Sequence, residues 1–133
     1  MLNLLHIENI AVIESADISF DAGFNVLTGE TGAGKSIVID AISAIMGERA
    51  YRDMIRTGTS KASVRAVFSQ VPAFSWFTEN GVAYDPETVI QRDISLDGKN
   101  ICRVNGALVS VAMLHQLGIQ LINIHGQHDS ASL

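Results

Sequence analysis

A single cysteine, Cys102, leaves this chain unable to form an internal disulfide. It sits in the alternating stretch Ile101-Cys102-Arg103-Val104, where a buried, inert thiol is expected. No apolar run approaches the roughly 18 residues of a membrane-spanning helix. Met1 to Ala16 carries Glu8 and Glu14 and has no basic start, unlike a secretion signal, so a cytoplasmic protein without a membrane partner is expected. Positive charge is also short. With a net charge of −5 and a sequence pI near 5.2, the domain as a whole offers no basic footprint for nucleic acid. Internal repeats, linkers and low-complexity segments are all missing, which excludes a solenoid or a tethered array.

What is present fits one domain. The chain has 133 residues, 47% of them hydrophobic, and its mean hydropathy is +0.25. That is apolar for its size, and the surplus is expected to face other protein rather than lipid. Charge is unevenly spread. Arg49, Arg52, Arg56, Lys61 and Arg65 are five of the nine basic residues, and only Glu48 and Asp53 oppose them there. A solvated face after a helix is the plain reading of that stretch, and contact with phosphate or a DNA backbone is the alternative.

The strongest motif is Gly29-Glu30-Thr31-Gly32-Ala33-Gly34-Lys35-Ser36, which satisfies GxxxxGK[ST], the Walker A pattern. Its glycines let the backbone curl so that successive N–H groups point at phosphate oxygens. Lys35 would bring a point charge to the β- and γ-phosphates, and Ser36 a hydroxyl to Mg²⁺. Phe24 to Thr28 reads as a strand entering the loop, and Lys35 to Met46 as a helix leaving it. The nucleotide contacts expected from this are Gly29, Glu30, Thr31, Gly32, Ala33, Gly34, Lys35, Ser36 and Ile37, with ATP and Mg²⁺ as the ligands.

Around that motif, Leu2 to Ile13 and Ala16 to Phe20 read as strands, with a turn at Asp21-Ala22-Gly23. The helix after the loop is apolar nearly all round, as a buried helix would be, and Gly47 is expected to end it. Ala62 to Val71, Thr88 to Leu96 and Ile101 to Val104 suggest an antiparallel meander turning at Asp97-Gly98 and Asn105-Gly106. Phe74, Trp76 and Phe77 lack interleaved basic residues, so a hydrophobic cap is expected there rather than a base-stacking platform. Val109 to Leu117 reads as a helix closed by Gly118, and Ile119 to Ile124 as a strand. After it, His125, His128 and Asp129 make only a weak case for a metal. Gln127, at that strand's end, could reach Mg²⁺ and an attacking water.

Taken together, Leu4 to Asn9, Ile18 to Gly23, GETGAGKS, Ile39 to Ile42, the GERA of Gly47 to Ala50, the MIRTG of Met54 to Gly58, the VNG of Val104 to Gly106 and the IHGQH of Ile124 to His128 resemble the RecN family. These are bacterial DNA-repair ATPases of the SMC-like branch of the ABC ATPases. The resemblance runs through the whole chain in order. It implies an α/β P-loop NTPase fold, with residues 1–133 forming the N-terminal lobe of a split ATPase head and an antiparallel β-meander beside the P-loop core. It also implies that Lys35 and Gln127 are catalytic, Gln127 being the Q-loop glutamine, and that Ser36 and Gln127 contact the metal. Asn9 to Ala11 would wall the nucleotide base, and Arg56 could couple phosphate to DNA. Implied partners are the C-terminal lobe of the same head, a second head in a homodimer, and DNA through the full-length protein, in the cytoplasm and on the nucleoid.

Against the family's full pattern, the chain has no LSGG-type signature, no Walker B run ending in Asp-Glu and no coiled-coil heptads. One lobe of a longer protein is therefore expected, with hydrolysis depending on the rest. A transporter's nucleotide-binding domain is the alternative, but it would place its Q-loop glutamine much nearer Lys35 than Gln127 stands. A small-molecule P-loop kinase would want an arginine-bearing lid, which is not found.

Overall fold

The computed structural model describes residues 1–20 and 32–132, without the side chains of 32, 33 and 125–132. Among the described residues six strands form one antiparallel sheet: β1 (Leu2–Ile10), β2 (Ile13–Ser19), β3 (Lys61–Phe68), β4 (Thr88–Ser95), β5 (Asn100–Val104) and β6 (Ala107–Val109), in the spatial order β2-β1-β3-β4-β5-β6. Three α-helices among the described residues accompany it: α1 (Gly32–Ile45), the short α2 (Ser75–Glu79) and α3 (Val111–Ser132). This is the expected α/β architecture of a P-loop NTPase-like fold, with the meander in place as β3, β4 and β5. The expected turn at 21–23 and strand at 24–28 lie outside the described residues.

Period-two alternation produces the sheet. Ala62, Val64, Ala66 and Phe68 of β3 all point inward, while Lys61 and Arg65 point out. Register carries that face across the strands: Leu5 lies opposite Ala66, Ala66 opposite Ile90, and Ile90 opposite Val104. The next inward row is Ile7, Val64, Arg92 and Cys102, so a cation occupies a position that its neighbours fill with apolar groups. Cys102 is buried, as its pattern suggested. The first strand ends earlier than its apolar spacing implied. Ala11 adopts a left-handed φ of 52° and turns the chain into β2, an unfavourable conformation for a residue with a Cβ. Its N–H is tied to Met54 O at 2.8 Å, so the turn is held from outside.

On the inward face, α1 buries Ile37, Val38, Ala41, Ala44 and Ile45, while Ile39 stays 54% exposed. The helix is thus buried along one side rather than all round. It ends at Gly47, whose φ of +81° suits the left-handed position after a helix. Glu48 N–H donates to Ser43 O at 3.0 Å and Gly47 N–H to Ala44 O at 3.1 Å, the paired bonds of a Schellman cap.

The aromatic segment forms the expected cap. Trp76 and Phe77 are buried, their rings 5.1 Å apart and edge to face, and Tyr84 stands edge-on to Phe77 at 5.2 Å. Trp76 Nε1–H donates to Met113 O at 2.8 Å, joining the cap to α3.

The C-terminal stretch departs furthest from expectation. Val109 belongs to β6, and α3 runs from Val111 through Gly118 to Ser132, so Ile119 to Ile124 is helix and not strand. Leu114, Leu117 and Leu121 are buried at helical spacing, and this face carries on past the glycine. Gly118 is there for proximity rather than termination: a Cβ on it would stand 2.4 Å from Met46 O of the α1 terminus.

Candidate nucleotide site

The residues expected to hold phosphate fall at the head of α1. Gly32, Ala33, Gly34, Lys35 and Ser36 form its opening turns, while Gly29, Glu30 and Thr31 lie outside the described residues. Lys35 and Ser36 are exposed. No acidic residue occupies the first turn, and among the described residues no carboxylate pairs with Lys35. A helix N-terminus with an exposed ammonium and hydroxyl, and no carboxylate paired with them among the described residues, is a donor set that fits a Mg²⁺-bound polyphosphate. Ile37 is only 6% exposed and packs into the core, so any contact from it to a ligand would come from its backbone.

Gln127 lies within α3, and its side chain, like those of His125, His128 and Asp129, is outside the described ones. Among the described residues no cluster of three metal-ligating side chains occurs. The helices carrying Lys35 and Gln127 are joined at the opposite end of α1. A Cβ on Gly47 would stand 2.4 Å from His115 N of α3, and Gly118 makes the reciprocal approach to Met46. Only glycine allows two helix backbones to come this close.

The residues of the basic stretch have different local settings. Arg49 lies over the ring of Tyr51, 5.6 Å from its centroid, and Arg52 is exposed beside it in a 3₁₀ turn at Arg52–Met54. Lys61 and Arg65 project from the outer face of the sheet, Lys61 towards Asp93 at 4.0 Å. Arg56 is tied to the β1–β2 turn, its N–H donating to Asn9 O at 2.8 Å and its Nη1 to Val12 O at 3.4 Å. Asn9 has a left-handed φ of 56°, and its Nδ2 donates to Lys61 O at 3.3 Å. The segment proposed by resemblance as a wall for the base is therefore braced by the segment carrying Arg56.

Arg92 was not singled out from the sequence, although a signal for it existed. Thr88, Ile90, Arg92 and Ile94 share one face of β4, so an arginine recurs in an apolar register. It is 2% exposed. Its Nη1 donates to Ala44 O at 2.8 Å and Glu48 O at 2.6 Å, and its Nε to Asn100 Oδ1 at 2.9 Å. Burial pulls its pKa below the ordinary arginine value, and the same desolvation pushes the Cys102 thiol up, opposed by the nearby guanidinium. An arginine remains charged across the accessible pH range even so.

On the outer face of the sheet, His6 sits between two carboxylates, with Nε2 2.7 Å from Glu8 Oε2 and Nδ1 2.6 Å from Asp17 Oδ1. Hydrogen bonds to Glu8 and then Asp17 raise its pKa above the usual histidine value.

Comparison with known proteins places this arrangement. A family model described as AAA domain matches residues 4–111. Over its whole length the chain is 47% identical to the DNA repair protein RecN of Bacillus subtilis strain 168, and 44% identical to that of Halalkalibacterium halodurans. It covers 24% of each, and so spans about a quarter of the length of these curated relatives. A solved structure concerning ATP-driven dimerization and DNA-stimulated activation of SMC ATPases superposes with a TM-score of 0.69 at 22% identity, over 86% of this chain and 75% of that one. At that identity the likeness speaks for the fold. No helix among the described residues is long and apolar enough to cross a membrane. With 108 consecutive positions under the family model and the resemblance to RecN extending over the full chain, this protein belongs to the AAA domain family and is RecN-like within it.

Proposed function

We propose that residues 1–133 are the ATP-binding, N-terminal lobe of a split ABC-type ATPase head that acts in DNA double-strand-break repair and recombination. The observation that carries this reading is that Gly32 to Ser36 of the GETGAGKS motif open α1, with Lys35 and Ser36 exposed in a first turn free of acids. Residues Gly29 to Ile37 would hold the nucleotide, mostly through backbone N–H groups. Lys35 would stabilise charge on the β- and γ-phosphates, and Ser36 and Gln127 would ligate Mg²⁺, with Gln127 also orienting water. Mg²⁺ would supply charge neutralisation on the phosphates. Asn9 to Ala11 would flank the base, and Arg56, braced on that turn, could relay the nucleotide state outward.

The relatives named DNA repair protein RecN support the repair role, and the SMC ATPase with ATP-driven dimerization supports a second head as partner. These relatives do not favour a transporter. Exposed Ile39, Ile119 and Ile122 offer apolar surface suited to the C-terminal lobe of the same head. DNA would be engaged by the full-length dimer, in the cytoplasm and on the nucleoid.

Because no Walker B or signature motif stands in these residues, the chain alone should bind Mg-ATP and turn it over negligibly. Phosphate release from purified chain, compared with Lys35→Ala, is the check. Steady hydrolysis abolished by that substitution would contradict the split-head reading.

A further inference from the structure

The C-terminal end of α1 carries a charge that its capping does not require. The Schellman bonds already engage the carbonyls of Ser43 and Ala44. Arg92 adds its guanidinium to Ala44 O and Glu48 O, and among the described residues no carboxylate pairs with it. A buried unpaired charge is costly, and here carbonyl oxygens at the negative end of the helix dipole offset it. With fourteen residues, α1 is about 21 Å long. The foot of the helix therefore holds a cation, and its head holds Lys35 and Ser36. Between them lies α1, buried along one side against the sheet, and on that side charge is screened less than in water.

Building on the nucleotide site proposed above, we propose that Arg92 is a positioning residue for nucleotide binding. It fixes the foot of α1 against β4, and its unpaired charge cancels the negative end of the helix, strengthening the field that phosphate meets at the head.

Asn100→Asp separates this role from a merely structural one. It keeps the acceptor for Arg92 Nε and adds a counter-charge, giving up only the Asn100 Nδ2 bond to Gly98 O. Titration of the chain with a fluorescent ATP analogue and Mg²⁺, alongside thermal melts, should show a Tm equal to or above wild type and an affinity about three- to tenfold weaker. Unchanged or tighter affinity would overturn the proposal. Arg92→Lys and Arg92→Gln give a second comparison: the lysine should keep affinity within about twofold and the glutamine should not, and equal affinities in the two would also overturn it. Wild-type chain that binds no analogue, indistinguishable from Lys35→Ala, would instead remove the nucleotide site, and this inference with it.

Discussion

The two ends of α1 are built on opposite principles. At its head, Lys35 and Ser36 are exposed and the first turn holds no acid. At its foot, Gly47 and Gly118 bring two helix backbones into contact while a buried arginine takes up carbonyls. A helix locked at one end can present its other end to a ligand without losing its place in the fold. Binding and stability should therefore separate along a single element, the close backbone contact at the foot setting the fold and the groups at the head meeting the ligand, with the charge of Arg92 as the link proposed between them.

The largest expected effect is at the foot. Gly118→Ala would place a methyl 2.4 Å from Met46 O, and Gly47→Ala would meet His115 N at the same distance while also requiring φ of +81°. In an ordinary helix interior Gly→Ala stabilises by about 1 kcal/mol. Here the sign should reverse, with a loss of about 3 kcal/mol or more in urea unfolding, because backbone rather than a pliable side chain must move. A neutral or stabilising Gly118→Ala would remove the asymmetry between the two ends.

The smallest effect is expected on the outer face of the sheet, and it sharpens the contrast by serving as a control. His6 has a raised pKa in the folded state, so its contribution is fully present below the unfolded value of about 6.5 and is lost as pH rises through the folded value. The Tm difference between wild type and His6→Gln should be largest near pH 5.5 and close towards pH 8.5, corresponding to less than about 1 kcal/mol, since Glu8 and Asp17 are exposed. ATP affinity should not follow that profile, and a nucleotide affinity that did would join the outer sheet face to the head of α1.

Much of this organisation is legible in the residues. Alternation in Ala62 to Phe68 and Thr88 to Ser95 is enough to place β3 and β4, because a half-buried strand can satisfy its pattern in only one register. Gly47 as a helix stop, the turn at Asn105-Gly106 and the Trp76–Phe77 cap are readable for similar local reasons. Gly118 is not. A glycine after an apolar helical stretch looks the same whether it ends the helix or admits a neighbour, and the neighbour, Met46, is distant in sequence. A short apolar run such as Ile119 to Ile124 is equally ambiguous between helix and strand. Arg92 is partly legible, since its register places it among apolar residues, yet its acceptors on the helix terminus become visible only in three dimensions. For the nucleotide site, sequence supplies the motif and structure supplies the exposed head of α1, while Gly29 to Thr31 lie outside the described residues.

The most direct test of the central claim is Mg-ATP binding by calorimetric titration of wild-type chain and Lys35→Ala, with far-UV circular dichroism on both. Because Lys35 is exposed, its removal should leave the spectrum unchanged and stability within about 0.5 kcal/mol, while affinity falls by at least about a hundredfold. Equal affinity in the two proteins would contradict the account, since the head of α1 would then not be where the phosphates rest.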